Sequence, residues 1–128
     1  MRTYAMPGLA MIAGFGLGVA TVHALHAQTN PPLYQVTEID VTDLDGYLKE
    51  YAPKAQASAN AAGGRILAAG QEVSAIEGTP PKRRVVPAQW DSLDQLQAWR
   101  NSSEYKQNRL IGDRYATFRS FAVEGLPQ

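Results

Sequence analysis

"NAAGGRILAAGQEVSAIEG", residues 60–78, sets a double glycine before an arginine. It admits two readings: a loop that cradles a phosphate, or a helix end followed by a β-hairpin. A phosphate loop closes on Gly-Lys-Ser/Thr and follows a strand. This stretch has no such ending, and the residues before it carry a helical stripe. Its glycines therefore read as backbone devices. Gly63 or Gly64 takes the left-handed conformation that ends a helix. Gly70 starts a two-residue type II′ loop, joining short strands at residues 65–69 and 72–77. That register predicts Ile66, Ala68, Val73 and Ala75 on one face.

Upstream, "LYQVTEIDV" (33–41) is β-branched and aromatic and reads as a strand. Thr42 and Asp43 offer helix caps, with Asp45 at capping-box spacing from Thr42. Leu44, Tyr47, Leu48, Tyr51, Ala55, Ala59 and Ala62 then recur at three- and four-residue steps, one apolar helix stripe. Pro53 removes a hydrogen bond and crowds the preceding turn. The stripe stays in phase across it, which predicts a kink rather than two helices.

Downstream, "EGTPPK" (77–82) is a loop, and "RVVPAQW" (84–90) reads as a strand that Pro87 demotes toward an edge or a bulge. Ser92 and Gln95 form a capping box ahead of Leu93, Leu96 and Trp99. Ser102 caps a second helix expected to run to about residue 115. "TFRSFAV" (117–123) is the last strand. The order is β-α-β-β-α-β, an α+β ferredoxin-like pattern with its second strand elaborated into a hairpin. Helices on one sheet face leave the other open, and a second copy of the chain is the cheapest cover.

The chain has 128 residues, enough for one core, with 12 basic and 12 acidic side chains. Without the first 27 residues, which contain only Arg2 among the charges, the balance is 11 against 12, or −1. That is no footprint of a nucleic-acid binder. The absence of cysteine excludes disulfides, thiolate nucleophiles and Cys-ligated zinc. The N-terminus itself, with Arg2, an apolar run from Ala5 to Val22 and the small residues of "TVHALHAQTNPP", fits a secretory signal peptide cleaved after Ala24 or, by preference, after Ala27. An uncleaved membrane anchor is the alternative, since the run sits near the lower limit of about 17–25 residues needed to span. Residues 28–32 then form a Pro-rich joint, 33–125 the domain and 126–128 a tail. Cleavage after Ala27 places the protein outside the cytoplasm, free of the membrane, and leaves it without histidine, because His23 and His26 precede the cut. "GFGLG" (14–18) mimics a dinucleotide fingerprint but has neither the strand before it nor the acidic partner after it.

"YQVTEIDVTD", "AAGGRILAAG", "AIEG", "WDSLDQLQAWRNSSEY" and the closing "FAVEG" resemble, in this order, the domain-of-unknown-function family 1330. The resemblance covers roughly residues 33–125 and is nearest to an exported branch with a signal peptide. It implies a dimeric α+β barrel, whose superfamily includes small monooxygenases and isomerases that use the barrel interior as a ligand cavity. Pro87 departs from the aliphatic residue usual there. Ser103 departs from the proline common at the first helical position, which weakens that helix start.

Few residues offer chemistry. Glu38 and Asp40 lie two apart on one strand and share a face, so they suit acid–base work, a cation, or salt bridges to Arg119 on the last strand. Arg65, Glu77 and Arg84 flank the hairpin and loop. Two arginines suit a carboxylate or phosphate, or an ion-pair set that closes the loop. Lys82, Arg83 and Arg84 read as a solvated basic run. Ser102 has no histidine to activate it and reads as a helix cap. Tyr105 fits either a ligand hydrogen bond or the polar rim of the core. No metal site and no cofactor is expected. The reading is a homodimer that binds a small ligand in its cavity, with a cofactor-free oxygenase or isomerase and a purely structural dimer as alternatives.

Overall fold

The computed structural model describes residues 30–81 and 84–127. The expected signal peptide or anchor at 1–27 lies outside the described residues, as do Lys82 and Arg83. Residues Pro32–Gly125 form one compact unit.

Strand β1, Leu33–Val41, pairs antiparallel with two neighbours. On one side lies β3, Arg84–Trp90, and on the other β4, Ala116–Glu124. A two-residue β2, Arg65–Ile66, pairs with the far side of β3, so the sheet order is β2-β3-β1-β4. This is the ferredoxin-like arrangement, with β3 inserted between β1 and β2. Because side chains alternate across a strand, Leu33, Gln35, Thr37 and Ile39 face the helices. Tyr34, Val36, Glu38 and Asp40 face away.

Helix α1 spans residues 44–61 in three segments. An α-turn at Leu44–Gly46 is followed by a π-helical turn at Tyr47–Tyr51 and an α-helical body at Ala52–Ala61. Asp43 rather than Thr42 caps it, accepting from Gly46 N at 3.0 Å. Thr42 turns its hydroxyl to Tyr115 O instead. The expected single, disturbed helix is present, and the disturbance is the wide turn ahead of Pro53. There the Ala52 N–H reaches back to Tyr47 O. Wide turns of this kind relieve breaks in the regular ladder.

The helix ends as its glycines require. Gly63 has φ 99°, and it donates to Asn60 O at 3.1 Å while Gly64 donates to Ala59 O at 2.9 Å. These two bonds are the Schellman pattern. Gly64 is small for a different reason. A Cβ there lies 2.6 Å from the Trp90 ring.

The expected hairpin does not form. Residues 67–81 contain no strand, and β2 pairs with β3 instead. Among the described glycines only Gly63 and Gly78 have positive φ, whereas a type II′ turn needs it at its first central residue. Ile76, meant to lie in the second arm, is 95% exposed and has nothing to pack on. Pro87 explains why β2 stops. Leu67 N donates to Pro87 O at 2.9 Å, but proline has no N–H to return, so the ladder ends there. On its other side Pro87 faces Val36 within an unbroken register, and β3 stays regular.

Helix α2, Leu93–Arg100, starts at Ser92, whose Oγ accepts from Gln95 N at 3.1 Å. Gln95 Oε1 in turn accepts from Asp91 N at 2.9 Å. Helix α3, Ser103–Gly112, starts at Ser102, whose Oγ accepts from Tyr105 N. It stops three residues short of the expected end, where a turn carries the chain into β4.

The core is divided. Leu33, Ala59, Ala88, Trp90 and Leu96 form one buried cluster. Ile39, Tyr47, Tyr51, Ala52 and Ala116 form another.

Candidate functional site

Between sheet and helices lies a cavity of about 80 Å³, lined by members of both clusters. Its floor is polar. Gln35 is buried, donates through Nε2 to Ser120 Oγ at 2.9 Å, and accepts at Oε1 from Trp90 Nε1 at 3.0 Å. Thr37 Oγ1 lies 3.1 Å from the same Ser120 oxygen. Ser120 is exposed, so the mouth lies on the β4 side. One wall is aromatic. Trp90 and Trp99 pack at 5.2 Å, and Tyr105 stands edge-on to Trp99 at 4.6 Å. The Trp99 N–H is satisfied by buried Ser58 Oγ at 2.8 Å, so both indoles are fixed in place.

At the other end sits Arg84, the first residue of β3, only 6% exposed. Strand alternation points it inward with Val86, Ala88 and Trp90. Its Nη2 donates to Ala69 O at 2.8 Å, which ties down the loop after β2. Its Cζ lies 5.1 Å from the centre of the Tyr47 ring. Nε and Nη1 are buried without a hydrogen-bond partner. A charge so placed is costly unless something answers it.

Tyr47 and Tyr51 are held as neutral phenols. Burial pushes the pKa of Tyr47 up, and the Arg84 guanidinium pulls part of the way back. Burial also pushes Tyr51 up, with neighbouring Tyr105 and Tyr47 adding to the shift. Tyr105 accepts at its hydroxyl from Arg109 Nη1 at 3.2 Å. Arg109 donates through Nε to Asp113 at 2.8 Å and lies 3.9 Å over the Phe118 ring. Arg84, Arg100 and Arg109 all line the cavity, and among the described residues no carboxylate, histidine or lysine does.

Of the polar and charged candidates named from the sequence, the structure brings Arg84 and Tyr105 to the cavity, and the aromatic residues Tyr47, Tyr51, Trp90, Trp99 and Phe118 line it with them. Glu38 and Asp40 share a face as expected, but it is the face turned from the helices. There Glu38 sits opposite Arg119 in the register, with an ion pair at 3.7 Å. Arg65 pairs opposite Gln89 on that outer face, so it cannot act with inward-pointing Arg84 as a two-arginine clamp. Glu77 is exposed on the loop. Ser102 is a cap and does not line the cavity. The floor residues Gln35, Thr37 and Ser120 are not among the sequence candidates. Their signal was a polar residue at the parity of Leu33 and Ile39, visible once the inward face is known.

Residues 32–126 match the family model described as "Domain of unknown function (DUF1330)", and the chain belongs to that family. No curated protein sequence matches it. Among solved structures it is similar to a protein of unknown function from Rhodopseudomonas palustris, at 13% identity and a TM-score of 0.61, covering 85% of this chain and 94% of that one. It is similar to SnoaB, a cofactor-independent oxygenase from Streptomyces nogalater, at 10% identity and a TM-score of 0.56, covering 77% and 96%. A protein of unknown function from Bacteroides thetaiotaomicron, titled a possible oxidoreductase, is similar at 14% identity and a TM-score of 0.53, covering 75% and 99%. At these identities the likeness is one of fold.

Proposed function

We propose that this member of the DUF1330 family binds a small organic molecule in the cavity between its sheet and helices. The observation that carries the reading is the divided core. Domain cores close as one contiguous cluster and leave few voids larger than a water molecule. Here two clusters part around an opening with a hydrogen-bonding floor and an aromatic wall. Apolar walls with a few convergent polar groups are the usual make-up of a ligand site.

Binding fits better than acid–base catalysis. Among the described residues the lining has no carboxylate or histidine to take a proton, and the raised phenols of Tyr47 and Tyr51 suit donating hydrogen bonds rather than acting as bases. The cofactor-free oxygenase reading draws on the resemblance to SnoaB, a relation of fold. Native mass spectrometry of protein purified from its own host tests the proposal. A retained small molecule, lost when Ala55→Leu fills the lining, supports it. A ligand-free spectrum together with a stability loss in Ala55→Leu, the mark of an already filled core, overturns it.

We further propose a homodimer that covers the outer sheet face. Phe121 and Val123 there are 45% and 58% exposed beside half-buried Tyr34, Val36, Val85 and Pro87. Glu38 and Arg119 give this face both charge signs, which suits self-pairing about a two-fold axis. A sedimentation mass of one chain at micromolar concentration counts against it, and Phe121→Glu should dissociate it. Export of the mature protein is proposed from the N-terminal sequence, and N-terminal sequencing from the host checks it. A start at Met1 rules out cleavage.

A further inference from the structure

We infer that the ligand carries a carboxylate, and that Arg84 is the residue that binds it. The inference rests on the cavity reading above and narrows it to a chemical class. Arg84 is inside the protein, its Nε and Nη1 have no partner, and its guanidinium lies beside the Tyr47 ring in the cavity wall. Contact with the ring offsets part of the cost of a buried cation. An oxyanion offsets far more, because a guanidinium–carboxylate pair combines charge with directed N–H bonds.

The surroundings agree in sign. Among the described residues three arginines and no carboxylate line the cavity, so its potential favours an anion. Arg109 is already matched by Asp113, and Arg100 lies over Tyr105 at 5.2 Å. Among the described residues no carboxylate forms an ion pair with Arg84. The Ala69 contact uses Nη2, and Nε and Nη1 find no hydrogen-bond partner among the described residues.

Shape sets the rest of the molecule. One cation suits a single negative charge, which favours a monocarboxylate over a phosphate dianion. From Arg84 the cavity runs past Tyr51 and Val86 to the Trp90–Trp99 pair, so the tail is apolar. The space is about 80 Å³, against roughly 150 Å³ in an engineered cavity that holds benzene. The tail is therefore short, a few carbons, unless the open Ser120 side admits more.

Arg84 also borders an outer groove along with Glu72 and Ser74. This supplies an internal rival, in which Glu72 of the loop between β2 and β3 swings in to answer the charge.

The test uses the full chain and four probes: butyrate, benzoate, their neutral amides, and inorganic phosphate as an anion without a tail. Affinity is read by titration calorimetry and by the rise in unfolding midpoint. The carboxylates should bind at least about tenfold tighter than the amides and phosphate, the scale of one charge-assisted contact. Arg84→Met should abolish that preference, Arg84→Lys should keep part of it, and Glu72→Gln should leave it intact. Without ligand, Arg84→Met should be as stable as the parent or more so, because it removes an unanswered buried charge. Amides that bind as well as carboxylates, with Arg84→Met unchanged and Ala55→Leu blocking both, overturn the carboxylate assignment and keep the cavity. Phosphate that binds as tightly as butyrate, or a preference lost in Glu72→Gln, also overturns it. If neither carboxylates nor amides bind, the cavity reading falls and this inference falls with it.

Discussion

Trp90 Nε1 donates to Gln35 Oε1 at 3.0 Å, from β3 to β1, beneath the cavity. Trp90 is 1% exposed and Gln35 is buried, so neither group can turn to water instead. Gln35→Leu leaves the indole N–H orphaned and should cost about 1–3 kcal/mol. Trp90→Phe orphans the Gln35 oxygen and also removes ring volume. The double variant should cost clearly less than the sum, which a denaturant double-mutant cycle measures. Strict additivity would mean the bond contributes nothing.

The two adjacent glycines should fail differently. Gly63→Ala places a Cβ on a residue at φ 99° and against Gln95 Nε2, the end of a flexible side chain that can turn aside, so the lasting cost is a backbone strain of roughly 1–2 kcal/mol. Gly64→Ala instead drives a methyl to 2.6 Å from the Trp90 ring, overpacking that costs typically about 1–3 kcal/mol. Trp90→Phe should rescue Gly64→Ala and leave the Gly63→Ala loss in place. Urea midpoints of the four variants decide the matter.

Stability should fall on the alkaline side. Burial raises the folded-state pKa of Tyr51 above the ordinary phenol value of 10.0. The stabilisation is complete below that value. As pH climbs past it the unfolded chain loses the proton first, so folding stability declines. Tyr51→Phe should flatten that decline while keeping stability at neutral pH. An unchanged alkaline slope in Tyr51→Phe would assign the titration to another group, with Tyr47 next in line.

Ser102→Ala should cost about 0.5–2 kcal/mol, the loss of a helix N-cap. The Ser102 hydroxyl donates to Trp99 O at 2.6 Å and accepts from Tyr105 N at 3.2 Å. It thereby joins α2 to α3 between two cavity-lining rings. Thermal unfolding measures the stability loss, and ligand affinity should change only through it. A selective loss of affinity at full stability would instead give Ser102 a direct role.

Glu38→Gln and Arg119→Gln should each change monomer stability by no more than about 1 kcal/mol, because Arg119 is largely exposed and the pair is long at 3.7 Å. If the outer face is the dimer interface, the same substitutions should weaken self-association measurably in sedimentation. A large stability loss at high dilution would place the pair in the monomer's own core energetics.

Much of the chain was legible locally. The bounds of β1 and β3, the caps at Ser92 and Ser102, and the glycine-ended helix follow from propensities, side-chain–backbone bonds and φ restrictions that act within a few residues. Those effects need no partner element, so the amino-acid order alone determined them. The loop after Ile66 was misread because a strand exists only when another strand answers its backbone. Here Pro87 withholds the N–H that would have continued β2. The site was hidden for a related reason. Glu38, Asp40 and Arg84 all sit in strands and all read as plausible ligands for substrate, but alternation assigns them to opposite faces only after the helices choose one. Tertiary packing made that choice. It turned two carboxylates outward, and it left one arginine inside with donors unanswered.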